Sequence, residues 1–321
     1  MDFQNLKDRI ISGHKITREE VNALVNIPLE TLCKAANEIR TYFCKDNFDV
    51  CSIINGKCGK CSEDCKFCAQ SEFYKTEINE YPMIEDKEKI VNEAIYNQSK
   101  GILRFSIVTS GRGLSNKEVD IVCANYQAIT ENCNIALCAS HGLLTLEQLK
   151  SLKNAGVERI HCNIETNKNY FSKICTTHTY EDRINTIKFA QSIGLEVCSG
   201  GIFGLGETWA DRIDLALELR ELGIKSIPIN ILRAIKGTPL EINKTLPLAE
   251  ARLIVAIFRF ILPDTAIRMA AGRGLFADKG KEIFLSGSNA CITGDMLTTA
   301  GVHVDEDMVM LNELGYKIKK L

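Results

Sequence analysis

Four cysteines fall within eleven residues in the run Cys58-Gly59-Lys60-Cys61-Ser62-Glu63-Asp64-Cys65-Lys66-Phe67-Cys68. Thiolates are ligands for zinc, copper and iron, so this density points to a metal centre rather than to packing. A structural zinc site normally takes its second pair of ligands from farther along the chain. A bacterial ferredoxin pattern would step x2, x2, x3 and end in proline, whereas here the steps are x2, x3, x2 and Ala69 follows Cys68. Neither pattern fits. The chain holds 14 cysteines among 321 residues, too dilute for a disulfide-stapled mini-scaffold. Residues 1–10 carry Asp2, Lys7, Asp8 and Arg9 with no apolar core region, so no secretory signal is expected and the chain should stay in the cytoplasm, where thiols are kept reduced. The five histidines form no HxxxH or HExxH pattern, which argues against a mononuclear zinc or iron centre.

Such a loop needs a scaffold, and the composition allows one: 45% hydrophobic and 25% charged residues suffice for a globular core. The net charge of -2 points away from nucleic acid and anionic membrane surfaces and toward a small-molecule partner. The longest apolar stretch, residues 253–262, is interrupted by Arg259 and too short to span a bilayer. Strand-like runs recur at residues 48–54, 102–108, 134–140, 159–165, 196–200, 226–232, 265–269 and 289–293. Helical periodicity fills residues 86–100, 116–132, 145–154, 180–193, 207–222 and 248–261. Several helices end in a glycine that opens the next strand, as at Gly101, Gly156, Gly194 and Gly223. Eight such units without a dinucleotide fingerprint favour a (β/α)8 TIM-type barrel of the α/β class over an open doubly wound sheet. One domain, 1–321, is expected: a helical preface over 1–45, with Thr17 and Glu20 as a capping box, a barrel over 46–300 and a charged tail over 301–321. The cysteine run follows the first strand, at the barrel end where such enzymes keep their chemistry.

The inner triple, Cys61, Cys65 and Cys68 with Phe67 before the last cysteine, resembles the signature of the radical S-adenosylmethionine superfamily. The resemblance implies a [4Fe-4S] cluster whose fourth iron is left for S-adenosylmethionine, and a 5'-deoxyadenosyl radical that abstracts hydrogen from unactivated carbon. Phe67 is then expected near the adenine. The glycines Gly200, Gly201, Gly204 and Gly206 are expected to let backbone approach the adenosyl group.

Further segments are similar to the biotin synthase family over nearly the whole length. They are Thr176-Thr177, Val197-Cys198-Ser199-Gly200-Gly201, Gly204-Leu205-Gly206-Glu207-Thr208, Pro228-Ile229-Asn230, Lys236-Gly237-Thr238-Pro239-Leu240, Arg268-Met269-Ala270-Ala271-Gly272-Arg273 and Leu297-Thr298-Thr299. The resemblance implies that dethiobiotin becomes biotin: two hydrogens are removed in turn and an auxiliary iron-sulfur cluster supplies the bridging sulfur. It also implies a flavodoxin- or ferredoxin-type electron donor and a homodimer.

Asn163 and Asn230 offer donors and acceptors for the ureido ring and the ribose. Glu165, where the family often has Asp, is expected on the ribose hydroxyls, and Thr298 and Thr299 on the substrate carboxylate. For the auxiliary cluster, [2Fe-2S] in the family, Cys138, Cys198 and Arg268 match the family ligands, but the remaining cysteine is Ser106 here. Serine is a poor iron ligand beside thiolate. Replacement is expected from Cys51, with Cys44 before it at C-x6-C spacing as a further candidate; the cluster is then either the two-iron type of the family or a four-iron one, for which the biotin synthases of strictly anaerobic organisms are a candidate class. Cys33, Cys123, Cys133, Cys162, Cys175 and Cys291 read as packing residues, Cys162 facing the helices; His161 shares parity with Asn163. Two other readings compete: another radical enzyme with two clusters, of the cofactor-maturase or mutase type, and a non-catalytic iron-sulfur carrier.

Overall fold

In the computed structural model, which describes residues 3–321, strands and helices alternate around a closed parallel barrel. Met1 and Asp2 lie outside the described residues. Three helices come first: α1 (Phe3–Ile11), α2 (Arg18–Leu24) and α3 (Leu29–Cys44). The first half of the barrel comprises β1 (Asn47–Lys57), α4 (Lys87–Ser99), β2 (Arg104–Thr109), α5 (Asn116–Asn132), β3 (Ala136–Ser140), α6 (Leu146–Asn154) and β4 (Val157–His161). The second half comprises α7 (Lys168–Ile174), α8 (Tyr180–Ser192), β5 (Glu196–Cys198), β6 (Gly201–Phe203), α9 (Trp209–Glu221), β7 (Ser226–Ile231), α10 (Leu248–Ile261), β8 (Ala266–Met269), α11 (Lys281–Phe284) and β9 (Ala290–Thr293). A last helix, α12 (Val304–Glu313), and a two-residue strand, β10 (Lys317–Ile318), complete the chain. Cys51 on β1 lies opposite both Arg104 on β2 and Ile292 on β9, so the ring closes on itself. With β5 and β6 as two stretches of one stave, eight staves form the expected (β/α)8 barrel.

Local chemistry explains the repeat. The helices α2, α5, α6, α8 and α9 each open on a capping box, from Thr17, Ser115, Thr145, Thr179 and Thr208 respectively. Each box satisfies a backbone donor that the first turn leaves free. At the other ends Gly101, Gly156, Gly194 and Gly223 all take positive φ, which stops the helix and turns the chain into the next strand.

Two strands differ from their expected bounds. The stave expected over residues 196–200 breaks into β5 and β6 where Pro228 of the neighbouring β7 has no N–H to give. There a Cβ on Gly200 would collide with the Pro228 carbonyl oxygen. The strand expected over 159–165 ends at His161, and the chain rejoins the sheet only at Glu165, bridged to Gly201, with Glu165 at φ +65°. A non-glycine residue in that region is uncommon and often functional.

The apolar stretch around Arg259 is the buried helix α10, sandwiched between α3 and the barrel. Arg259 is fully buried and donates to Gly287 O at 2.8 Å, Thr265 O at 2.9 Å and Asn289 Oδ1 at 2.8 Å, tying α10 to β8 and β9. The tail covers the N-terminal end of the barrel: β10 pairs with the start of β1, and Leu321 N donates to Asp49 Oδ2 at 3.3 Å. No helix among the described residues is long and apolar enough to cross a membrane.

Candidate active site

The cysteine loop leaves β1 and is held in shape by backbone bonds. Cys58 pairs with Tyr81 in both directions at 3.1 Å, which gives it a structural place outside the triple. Cys61 N donates to Gln70 O at 3.0 Å, and Cys68 N donates to Cys65 O at 2.9 Å. Asp64 clamps the loop to the turn before α8: its carboxylate accepts from Thr176 N at 2.8 Å, Thr176 Oγ1 at 2.5 Å, Thr177 N at 3.2 Å and Thr177 Oγ1 at 3.1 Å. Burial alone would raise the Asp64 carboxyl, but these donors hold it well below the usual carboxylate range. The neighbouring Glu63 accepts from Thr177 Oγ1 at 2.8 Å and meets His178 Nδ1 at 2.5 Å. From His178 the chain of bonds continues through Arg183 Nε at 3.0 Å, and Arg183 Nη1 reaches Glu165 Oε1 at 3.4 Å and Asn163 O at 2.8 Å. The cluster loop and the barrel mouth are therefore one hydrogen-bonded unit.

The three thiols of the triple do not converge on a point. Among the described residues the group close enough to share a single ion is Cys65, Cys175 and His178. Both ring nitrogens of that histidine are already engaged by Glu63 and Arg183, so the geometry suits a polynuclear cluster on the triple better than one ion. Burial raises the thiol of Cys61 above the ordinary value and that of Cys68 to about 11, and the hydrogen bond to Cys175 together with burial raises that of Cys65. Metal ligation is what would take their protons.

Below the loop lies a cavity of about 390 Å³ that runs from Phe67 and Cys68 down the barrel axis. Its lower wall is built by strand register: Ser106 opposite Cys138, Cys138 opposite Arg159, His161 opposite Cys198 and Pro228 opposite Arg268. Cys51, Cys138 and Cys198 all line it, with Ser106 and Arg268 between them. Arg268 Nη1 donates to Cys51 Sγ at 3.2 Å, and Cys198 Sγ lies 3.2 Å from Ser226 Oγ. Burial pushes the Cys51 thiol up to about 12 and that of Cys138 to about 11. Burial would raise Cys198 too, but the hydrogen bond and field of His161, with Arg268 and Arg159, bring it down to about 7. The guanidiniums of Arg104, Arg159 and Arg268 form the floor. Arg104 Nη1 and Ser106 Oγ are buried without hydrogen-bond partners. A donor set of three thiols over unpaired N–H and positive charge fits an anionic iron-sulfur cluster.

At the mouth the two expected amides both line the cavity, and each already holds backbone in place. Gly200 N donates to Asn163 Oδ1 at 2.9 Å, and Asn163 Nδ2 donates to Glu165 Oε2 at 3.2 Å. Asn230 Nδ2 donates to Gly201 O at 3.1 Å, and Ala271 N donates to Asn230 Oδ1 at 3.1 Å. One N–H of each amide remains for a ligand. Phe67, Glu165, Thr298 and Thr299 also line the cavity, Phe67 packing on Ile174, Leu205 and Leu232.

Cys44 and the four expected glycines lie outside the cavity wall. Cys44 does not reach the cavity: it is buried at the end of α3, on a helix packed outside the barrel against α10, so six-residue spacing from Cys51 does not bring the two thiols to one site. The four glycines do not line the cavity wall either. Gly200 and Gly201 let β5 and β6 pass close to β7 and Glu165, and Gly204 donates its N–H to Glu207 Oε1 at 2.9 Å. Residues without an assigned role before the fold was known are Asp64, His178, Arg183, Arg104 and Arg159. The pair Thr176-Thr177 was the one sequence signal for the first of these. Cys162, just past the end of β4, has its Sγ 3.9 Å from Arg183 O on α8 and also lines the cavity.

Fold and site together define a radical S-adenosylmethionine barrel: the family model of the radical SAM superfamily matches residues 57–219. Solved structures agree in fold, among them methylornithine synthase, with TM-score 0.84 and 18% identity over 98% of this chain and 97% of that one. Another is a maturase of the [FeFe]-hydrogenase, with TM-score 0.82 and 17% identity over 98% of this chain and 75% of that one. The model of the biotin and thiamin synthesis associated domain matches residues 228–317. The biotin synthase of Brachyspira hyodysenteriae is 56% identical over 319 residues, 99% of this chain and 96% of its own. Those of Akkermansia muciniphila and Clostridium botulinum strain Loch Maree are each 53% identical, covering 98% and 97% of this chain and 98% of their own. The chain belongs to the biotin synthase family.

Proposed function

We propose that this chain converts dethiobiotin to biotin, with Cys61, Cys65 and Cys68 holding a [4Fe-4S] cluster and Cys51, Cys138 and Cys198, beside Arg268, holding an auxiliary cluster of four irons. The observation that carries the reading is the single cavity joining Cys68 at the mouth to Cys51, Cys138 and Cys198 below. When bound, the first cluster and S-adenosylmethionine supply a 5'-deoxyadenosyl radical and the auxiliary cluster supplies sulfur. The substrate must sit between them.

The protein's own part is to place and shield. Phe67 forms the apolar wall beside the loop. Asn163 and Asn230 each keep an N–H for the ureido oxygen, and Glu165, held by Arg183 and Asn163, takes the ribose hydroxyls. Thr298 and Thr299 offer hydroxyls to the substrate carboxylate at the rim. Ile53, Ile202, Ile231 and Leu232 line the space between and keep water from a radical. Arg268 fixes Cys51 from the side opposite the cavity mouth.

Residues 1–321 act as one unit, since the gap between the two matched family models falls between α9 and β7, inside the closed ring. We place the enzyme in the cytoplasm, as a homodimer served by a flavodoxin- or ferredoxin-type donor. Anaerobic reconstitution with iron and sulfide, followed by dithionite, S-adenosylmethionine and dethiobiotin, tests the activity by mass spectrometry. Biotin with 5'-deoxyadenosine supports it. Cleavage of S-adenosylmethionine without biotin points to a different radical enzyme, and no cleavage to a carrier.

A further inference from the structure

Five arginines line the cavity, and four of them are matched by carboxylates. Arg268 Nη2 lies 2.7 Å from Asp49 Oδ1, Arg104 Nε 3.3 Å from Asp49 Oδ2, Arg159 Nη2 2.7 Å from Glu196 Oε2 and Arg183 Nη1 3.4 Å from Glu165 Oε1. The fifth, Arg233, is exposed and has no ion pair or side-chain hydrogen bond among the described residues. The one carboxylate in the cavity wall, Glu165, is already shared by Arg183 and Asn163. The wall therefore keeps a single uncommitted positive charge.

That charge belongs to the mouth. Arg233 follows the C-terminal end of β7 by two residues, and that end is pinned: Ile231 N donates to Ala271 O at 2.9 Å, and a Cβ on Gly272, at φ +85°, would collide with the Ile231 carbonyl oxygen. The turn of residues 294–302 is closed by a bridge between Gly294 and Val302 and by Met296 N donating to Thr299 O at 2.9 Å. Asn55 Nδ2 on β1 donates to Leu297 O at 3.0 Å and ties this turn to the barrel. A small hollow beside the cavity is walled in part by Arg233, Gly272, Met296 and Thr299, which also line the cavity itself, so Arg233 and Thr299 belong to one partition. The other cation of the hollow, Arg273, is committed to Asp307 through bonds of 2.7 and 2.6 Å.

We propose that Arg233 pairs with the carboxylate of the substrate, so that the enzyme selects an acid over its neutral derivatives. This rests on the reading that Thr298 and Thr299 receive that carboxylate at the rim. Threonine hydroxyls bond an amide oxygen as well as a carboxylate, whereas a guanidinium gains from the negative charge and its planar fork donates to both carboxylate oxygens at once. At a rim open to water the gain is limited to about fivefold in binding, and salt screens it.

The test uses the full chain, reconstituted anaerobically with iron and sulfide and mixed with S-adenosylmethionine but no reductant, so that binding is read without turnover. Calorimetry gives the Kd of dethiobiotin and of its primary amide for wild type, Arg233→Gln, Arg233→Lys and Thr299→Val. The expected result for Arg233→Gln is a roughly fivefold weaker Kd for dethiobiotin with an unchanged Kd for the amide, and Arg233→Lys should recover most of the loss. The gap between wild type and Arg233→Gln should shrink in about 0.5 M salt. With reductant present, the loss should appear in the KM for dethiobiotin rather than in kcat. Equal weakening of acid and amide in Arg233→Gln overturns the pairing, and so does a loss for the acid confined to Thr299→Val, which leaves the rim reading intact. Acid binding unchanged by either substitution overturns both. Wild type that binds no dethiobiotin overturns the activity reading together with this one.

Discussion

Asp49 supports the cavity floor. It is fully buried, with Arg268 Nη2 donating at 2.7 Å and Arg104 Nε at 3.3 Å, both guanidiniums being buried as well. Burial alone would raise its carboxyl, but the charges of Arg268 and Arg104 bring it from an ordinary 3.8 down to about 2. At about 1.36 kcal/mol per unit this difference is worth a few kcal/mol of folding free energy. Asp49→Asn preserves shape but removes the paired carboxylate of buried Arg268 and one of the three carboxylates around buried Arg104, so the expected cost is ~3 kcal/mol. For a chain of this length that corresponds to a fall in Tm of roughly 4 °C. Because folding lowers this pKa, the contribution is fully present above the unfolded value near 3.8 and disappears as pH falls toward about 2. Calorimetry of the metal-free protein should therefore show a constant gap between wild type and Asp49→Asn from about pH 5 to 8, narrowing below about pH 4. Equal Tm values at neutral pH, or a gap that does not narrow in acid, would refute the reasoning.

Four other outcomes follow from the packing and the hydrogen bonds. Gly200→Ala forces a methyl into the Pro228 carbonyl and should cost ~3 kcal/mol in urea unfolding. Gly223→Ala, whose Cβ would meet nothing within 4 Å but whose φ is +69°, should cost only ~1 kcal/mol in the same assay. Asp64→Asn weakens the clamp on Thr176 and Thr177, so a chelator should strip iron from the Cys61, Cys65 and Cys68 site on the order of tenfold faster, the equivalent of one charge-assisted bond; an unchanged rate contradicts the clamp. Cys44→Ser should leave total iron unchanged, because that thiol lies outside the cavity wall; a loss of iron would restore it to the ligand set.

Local signals carried most of the fold. Thr17 with Glu20, and the glycines at 101, 156, 194 and 223, act within one turn of chain, so their roles are readable from spacing. What spacing misses is what the barrel brings together. The break between β5 and β6 comes from Pro228 on another strand. Asp64 meets Thr176 across 112 residues, and Glu63 meets His178 across 115. Cys44 misled because the six residues between it and Cys51 lead from the end of a helix packed outside the barrel into a barrel strand. Cys138 and Cys198 came from the family resemblance and Cys51 from the serine at 106, and the fold puts all three on the cavity wall. The arginines Arg104 and Arg159 share strand parity with Ser106 and His161 and could have been found that way.

The central claim is that Cys51 replaces the thiol missing at Ser106. Iron and sulfide counts with Mössbauer spectra, on full-length protein lacking Cys61, Cys65 and Cys68, test it most directly. A four-iron cluster that is lost on Cys51→Ser is the predicted result, whereas a two-iron cluster retained after that substitution would contradict it.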